Sequence, residues 1–234
     1  MIHIFLVIHI IAGFAALVTG FIAITTQKGK GWHIYSGRLY FWSMIIVAIT
    51  AIILSAVRPN LFLLFISLFS FYLTWSGYRA IRWKNNPLPG IAHIFDRLLV
   101  PLFFAAGIAM IGLALGAIFE LLHHPLLQKT KIIILVFGII FAALTGRDLA
   151  LRIGWLVKTK FQWMFEHIQG MLAAYIATFT AFLVVNVTFL PMAVVWLAPT
   201  VIGTPVIAYW VRKYKRKFNR PNPSSKQSGK KNPA

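Results

Sequence analysis

The run IHIFLVIHIIAGFAALVTGFIAITT, residues 2–26, is followed at once by Gln27-Lys28-Gly29-Lys30, and its reading decides the fold. It contains no Asp, Glu, Lys or Arg. A helix needs roughly 20 apolar residues to cross ~30 Å of hydrocarbon, and this run supplies them. It lacks the basic n-region of a cleaved signal peptide and exceeds the length of an h-region, so it reads as a first membrane helix. Six further stretches have the same character: Leu39 to Val57, Leu61 to Ala80, Phe95 to Ile118, Lys131 to Arg152, Met164 to Phe189 and Pro191 to Val211. The fold class that follows is all-α, a polytopic membrane protein built as a bundle of seven transmembrane helices.

Charge sets the expected orientation. With the N-terminus outside, the inner side collects 20 of the 23 Lys and Arg, and only Arg58, Lys129 and Lys131 stay outside. Positive charge in short loops is retained in the cytoplasm, which predicts an N-out, C-in topology. A mean hydropathy of +0.80 with 59% apolar residues is more than a soluble domain could hide. Residues 1–211 therefore form one transmembrane domain. Residues 212–234, rich in Lys, Arg, Ser, Pro and Asn, read as a disordered basic cytoplasmic tail. A basic run beside a last helix points to anionic lipid and not to nucleic acid. The expected surroundings are the lipid bilayer, with a membrane-protein partner or a second copy of the chain as further candidates.

The absence of cysteine removes disulfides, thiolate metal sites, iron–sulfur clusters and cysteine nucleophiles. No phosphate-binding Gly loop, Ser-His-Asp set or His-Glu-x-x-His pair is present, so no enzymatic activity follows from motifs. Function has to be sought among ionisable groups at membrane depth, which are costly unless paired. Asp96, Asp148 and Glu166 sit at the inner ends of helices four, five and six; the fourth acid, Glu120, lies outside. His33, His93 and His167 mark the inner ends of helices two, four and six. Arg97, Arg147 and Arg152 share that layer. Asp148 and Arg152 are one turn apart and can pair on their own helix, which leaves Asp96 or Glu166 as a partner for Arg147.

Other positions carry weaker signals. His9 shares a helical face with Gly13, Ala16 and Gly20, where small residues let a neighbouring helix approach. Helix three has a stripe of Ser67, Ser70, Thr74 and Tyr78 suited to interhelical hydrogen bonds. Pro199, Gly203 and Pro205 should bend or interrupt helix seven. Asn186-Val187-Thr188 has the form of a glycosylation acceptor but falls at the end of helix six, where it reads as chance.

The segment His9-x3-Gly13-x6-Gly20, then Lys28-Gly29, then Trp32-His33-x3-Gly37-Arg38-Leu39-Tyr40-x3-Met44 resembles a bacterial membrane-protein family called domain of unknown function 2306. The resemblance continues through Arg58-Pro59-Asn60 and Phe-Ser-Phe-Tyr-Leu-Thr-Trp-Ser-Gly-Tyr-Arg at 69–79. It implies a bacterial membrane location and a multi-helix architecture, and no reaction.

Three functions compete for the inner layer. A metal or haem centre, in a redox protein, would use His33, His93 and His167 as ligands, with Asp96 and Glu166 supplementing or orienting them. Arg97, Arg147 or Arg152 would then hold haem propionates or an anionic substrate. The cofactors expected are haem b or a divalent metal, bound in one pocket where the three histidines converge. A small proton-coupled transporter would titrate the same acids and histidines around a broken helix seven. A non-catalytic accessory or assembly subunit would use the charges structurally.

Overall fold

The computed structural model describes residues 2–57, 60–82, 84, 91–157, 159 and 161–218, less the side chains of residues 91–93, 95 and 217. Among them every regular element is helical. The order is α1 (Ile2–Thr25), α2 (Gly31–Val57), α3 (Leu61–Arg82), α4 (Ile91–Ile118), α5 (Pro125–Arg152), α6 (Gln162–Asn186) and α7 (Met192–Phe218). All seven are long and apolar enough to cross a membrane.

Several helices outrun the apolar stretches that announced them. α2 begins at Gly31 and not Leu39, α5 begins at Pro125 and not Lys131, and α7 continues through Arg212 to Phe218. Hydropathy locates the part of a helix that lies in hydrocarbon. Backbone hydrogen bonding then carries it on into the interface, where Trp, Tyr, Lys and Arg are at home. The basic segment expected to be unstructured from Arg212 is thus helical over its first seven residues, and its remainder, 219–234, lies outside the described residues. α7 also runs unbroken through Pro199 and Pro205, so the expected interruption does not occur.

Two hairpins, α1 with α2 and α4 with α5, pack along much of their lengths, while α3 and α6 pair at the centre and α7 lies against α6. Lipid tails are as apolar as leucine, so contact area alone does not drive such pairing; close backbone approach does. A Cβ added to Gly77 on α3 would stand 2.8 Å from the Met171 nitrogen of α6, and one on Gly170 would stand 2.6 Å from the Gly77 Cα. Gly107 and Gly138 perform the same service for α4 and α5. Between α3, α4 and α5 the space is filled by Phe69, Tyr72, Phe103, Phe137 and Phe141, whose rings meet edge-on or tilted at 5.4–6.0 Å. The outward faces stay apolar, as on α1, where Ile4, Val7, Ile10, Ile11 and Phe14 are exposed, which suits a hydrocarbon surround.

On α1 the buried residues are Ala12, Ala16 and Gly20, so Ala16 and Gly20 of the expected His9-Gly13-Ala16-Gly20 face are buried and Ala12 takes the place of Gly13. Nothing approaches Gly13, whereas Gly20 lies under the rings of Tyr175 and Tyr40. On α3, Ser67 and Thr74 donate to carbonyls of their own helix, Leu64 and Ser70, at 2.8 and 3.0 Å, and Thr74 also meets the Tyr40 hydroxyl of α2, across helices as expected.

Candidate functional site

The end of the bundle that gathers the α1–α2, α3–α4 and α5–α6 connections holds two distinct groups of polar side chains. The first is an ion network. Arg79, one turn before the end of α3, is 5% exposed and spreads its guanidinium between two helices. Its Nη1 donates to Asp96 Oδ1 of α4 at 2.5 Å, and its Nη2 donates to Asp148 Oδ2 of α5. Arg152 of α5 donates through Nη2 to the second Asp96 oxygen and through Nη1 to the Asp96 carbonyl at 2.5 Å. Trp75, one turn earlier on α3, lies beneath the Arg79 guanidinium at 4.6 Å. Two arginines and two aspartates cancel formally. That balance offsets the cost of burying Asp96, which is 1% exposed.

This pairing differs from the one expected within α5. Asp148 goes to Arg79 and Arg152 goes to Asp96. The reason is geometric, since a planar fork entering from α3 can serve two carboxylates at once, which a flexible one-turn pair on an exposed helix face cannot match. Arg79 entered the sequence reading only as one more inner positive charge. Its signal was its depth, one turn inside a helix end and two residues after Gly77.

Arg147 does find Glu166, one of its two expected partners, but loosely, at 3.8 Å and with 42% of its side chain exposed. Glu166 is held more closely by Gln162, whose Nε2 donates to it at 2.7 Å. Arg97 is exposed and makes no ion pair among the described residues. His93 belongs to α4, but its side chain lies outside the described residues.

The second group is a pair of histidines. His33 of α2 and His167 of α6 meet edge to face with ring centroids 6.3 Å apart. Each Nδ1 lies 2.9 Å from a main-chain carbonyl of a neighbouring helix, Ala23 of α1 for His33 and Gly77 of α3 for His167. A carbonyl oxygen only accepts, so Nδ1 carries the proton in both rings, and Nε2 holds the lone pair whenever the imidazole is neutral. The Ala23 carbonyl also accepts from Lys28 Nζ at 2.9 Å, so the end of α1 is capped by a cation beside the pair. Partial burial lowers the Lys28 pKa from its usual value.

α2 and α6 are held apart. No Cα of one comes within 8 Å of a Cα of the other. Side chains alone cross the gap: His33 to His167, Tyr40 to the Thr178 hydroxyl at 3.2 Å, and Thr178 to the Met44 sulfur at 3.3 Å.

Of the five expected metal ligands, then, two come together. Asp96 has both oxygens engaged by arginines, and Glu166 is engaged by Gln162. Among the described residues no three His, Asp or Glu are grouped to hold a metal ion. His9 is far along α1 and donates Nδ1–H to Thr50 Oγ1 of α2 at 2.9 Å; the Thr50 proton is committed to the Ile46 carbonyl at 2.7 Å. That bond is a packing contact between the two helices of a hairpin. Comparison with known proteins finds no matching family model, curated protein or solved structure.

Proposed function

We propose that this chain is a redox membrane protein that holds a haem, or a metal ion completed by non-protein ligands, between His33 and His167. One observation carries the reading. Two imidazoles from separate helices share a gap, and each has its Nδ1–H tied to a backbone carbonyl. That anchoring fixes tautomer and ring orientation and leaves Nε2 as donor atom, the arrangement that metal-binding histidines require. Lys28, which caps α1 beside His33, and the loosely paired Arg147 are cations at that end placed to meet an anionic periphery. A group bound there would supply one-electron transfer; the chain supplies orientation and the low-dielectric wall. The 20 to 3 division of cations supports placing this end in the cytoplasm, with the N-terminus outside. The resemblance to domain of unknown function 2306 supports a bacterial inner membrane. Reporter fusions after Lys30, Trp155 and Phe218 should all read cytoplasmic.

The test is an absorption spectrum with metal analysis on freshly purified full-length protein. A Soret band or stoichiometric metal is expected, lost in His33→Ala and in His167→Ala and kept in His9→Ala. Protein with neither signal overturns the reading. A second reading then leads, that of a non-catalytic accessory subunit, and it too has a specific support: Asp96 and Asp148 are already neutralised by arginines, and Glu166 is held by Gln162. Capture of a stoichiometric membrane partner after mild extraction would favour it.

A further inference from the structure

The helical extension of α7 places four residues on one stripe: Pro205, Ala208, Arg212 and Arg216, at separations of three, seven and eleven from the first. They line a groove together with Tyr209, Trp210, Lys213 and Tyr214. Pro205, Arg212 and Arg216 are exposed and Ala208 is half-buried, so the stripe faces away from the bundle. Its lower part is apolar and small. Its upper part carries two guanidiniums one turn apart.

The surroundings set the depth of this stripe. The Trp210 and Tyr214 rings stack at 6.1 Å, and the Lys213 ammonium rests over Trp210 at 4.8 Å and Tyr209 at 5.9 Å. Trp and Tyr of this kind settle at the headgroup level of a bilayer. The guanidiniums of Arg212 and Arg216 therefore stand in the phosphate layer, with Ala208 and Pro205 below them in the acyl region. No Asp or Glu follows Glu166 in the chain, so the two arginines have no acid of their own helix to meet.

We propose that this stripe is a binding site for one anionic phospholipid, its phosphodiester taken by Arg212 and Arg216 and its acyl chain lying along Ala208 and Pro205. Guanidinium suits the task because its fork meets two phosphate oxygens, which a lysine does not. The charge complementarity is with a lipid and not a soluble anion, because the site continues into an apolar floor at membrane depth. It narrows the expected lipid contact, the basic segment 212–234, to two arginines on its helical part. The proposal rests on the chain lying in a bilayer, not on the histidine pair, so either can fail alone.

The experiment is thermal unfolding of the full-length protein in a neutral detergent, titrated with phosphatidylglycerol or phosphatidylcholine. Phosphatidylglycerol should raise Tm with a saturable dependence that phosphatidylcholine lacks. The rise should be lost in R212Q/R216Q and kept in R220Q/K226Q/K230Q/K231Q, which neutralises the tail. The opposite result, loss with the tail variant and retention in R212Q/R216Q, overturns the site, as does an equal rise with inorganic phosphate. Should R212Q/R216Q not fold, R212K/R216K keeps the charge and removes the fork. Native mass spectrometry should then show less phosphatidylglycerol retained than in the unaltered chain, and equal retention overturns the proposal.

Discussion

The ion network between α3, α4 and α5 and the histidine pair between α2 and α6 occupy the same end of the bundle and solve opposite problems. In the network each charge meets a counter-charge: Arg79 takes Asp96 and Asp148, and Arg152 takes the rest of Asp96. In the pair, one nitrogen of each ring is spent on a backbone carbonyl and, among the described residues, the other is left over. The first arrangement is closed and the second open. Closure marks a clasp, because the two aspartates are already taken by buried arginines and are not open to a ligand. An anchored ring with a spare lone pair is half of a coordination bond.

The contrast can be broken most decisively at Arg79. Arg79→Met leaves Asp148 half-buried without its cation and Asp96 with only one, and removal of one partner from a buried pair costs about 3–5 kcal/mol. Thermal unfolding in detergent should show a large loss, partly restored by Asp148→Asn in the same chain. If Arg79→Met unfolds at the temperature of the unaltered protein, the network is wet and is no clasp.

A smaller effect should appear at the contact that joins the two regions. Gly170→Ala puts a Cβ against Gly77 of α3, whose carbonyl anchors His167. Overpacking of this kind costs about 1–3 kcal/mol. It should also shift or weaken any spectral signal of the histidine site, whereas Gly107→Ala, equally tight but between α4 and α5, should destabilise without spectral change. Identical spectra for the two variants would separate the histidine pair from the α3–α6 contact.

The least effect is expected at Arg147→Gln. Its pair with Glu166 is long and largely solvated, and such pairs are worth under about 1 kcal/mol. A loss comparable to that of Arg79→Met would extend the clasp to α6.

Much of this organisation was legible before any coordinates. Asp96, Asp148, Glu166, His33 and His167 could be assigned to one layer because depth follows from counting residues along an apolar helix. Which of them touch could not be counted. Arg79 and Asp148 are 69 residues apart, and Arg152 and Asp96 are 56 apart. Rotation of each helix about its axis decides whether such groups face each other or face lipid, and hydropathy is nearly blind to rotation in helices that are apolar all round. The same blindness put Gly13 in place of Ala12 on the buried side of α1, and matched Asp148 with its neighbour Arg152 in place of Arg79.

By itself, then, the sequence determined that the chain makes seven apolar helices and that its rare charges lie at their ends, since transfer free energy is a property of each ~20-residue window taken alone. The tertiary structure alone decided that Asp96 and Asp148 would be sealed by arginines while His33 and His167 kept a nitrogen free. Those outcomes hang on glycine contacts such as Gly77 with Gly170, where a fraction of an ångström in helix approach sets which side chains can meet.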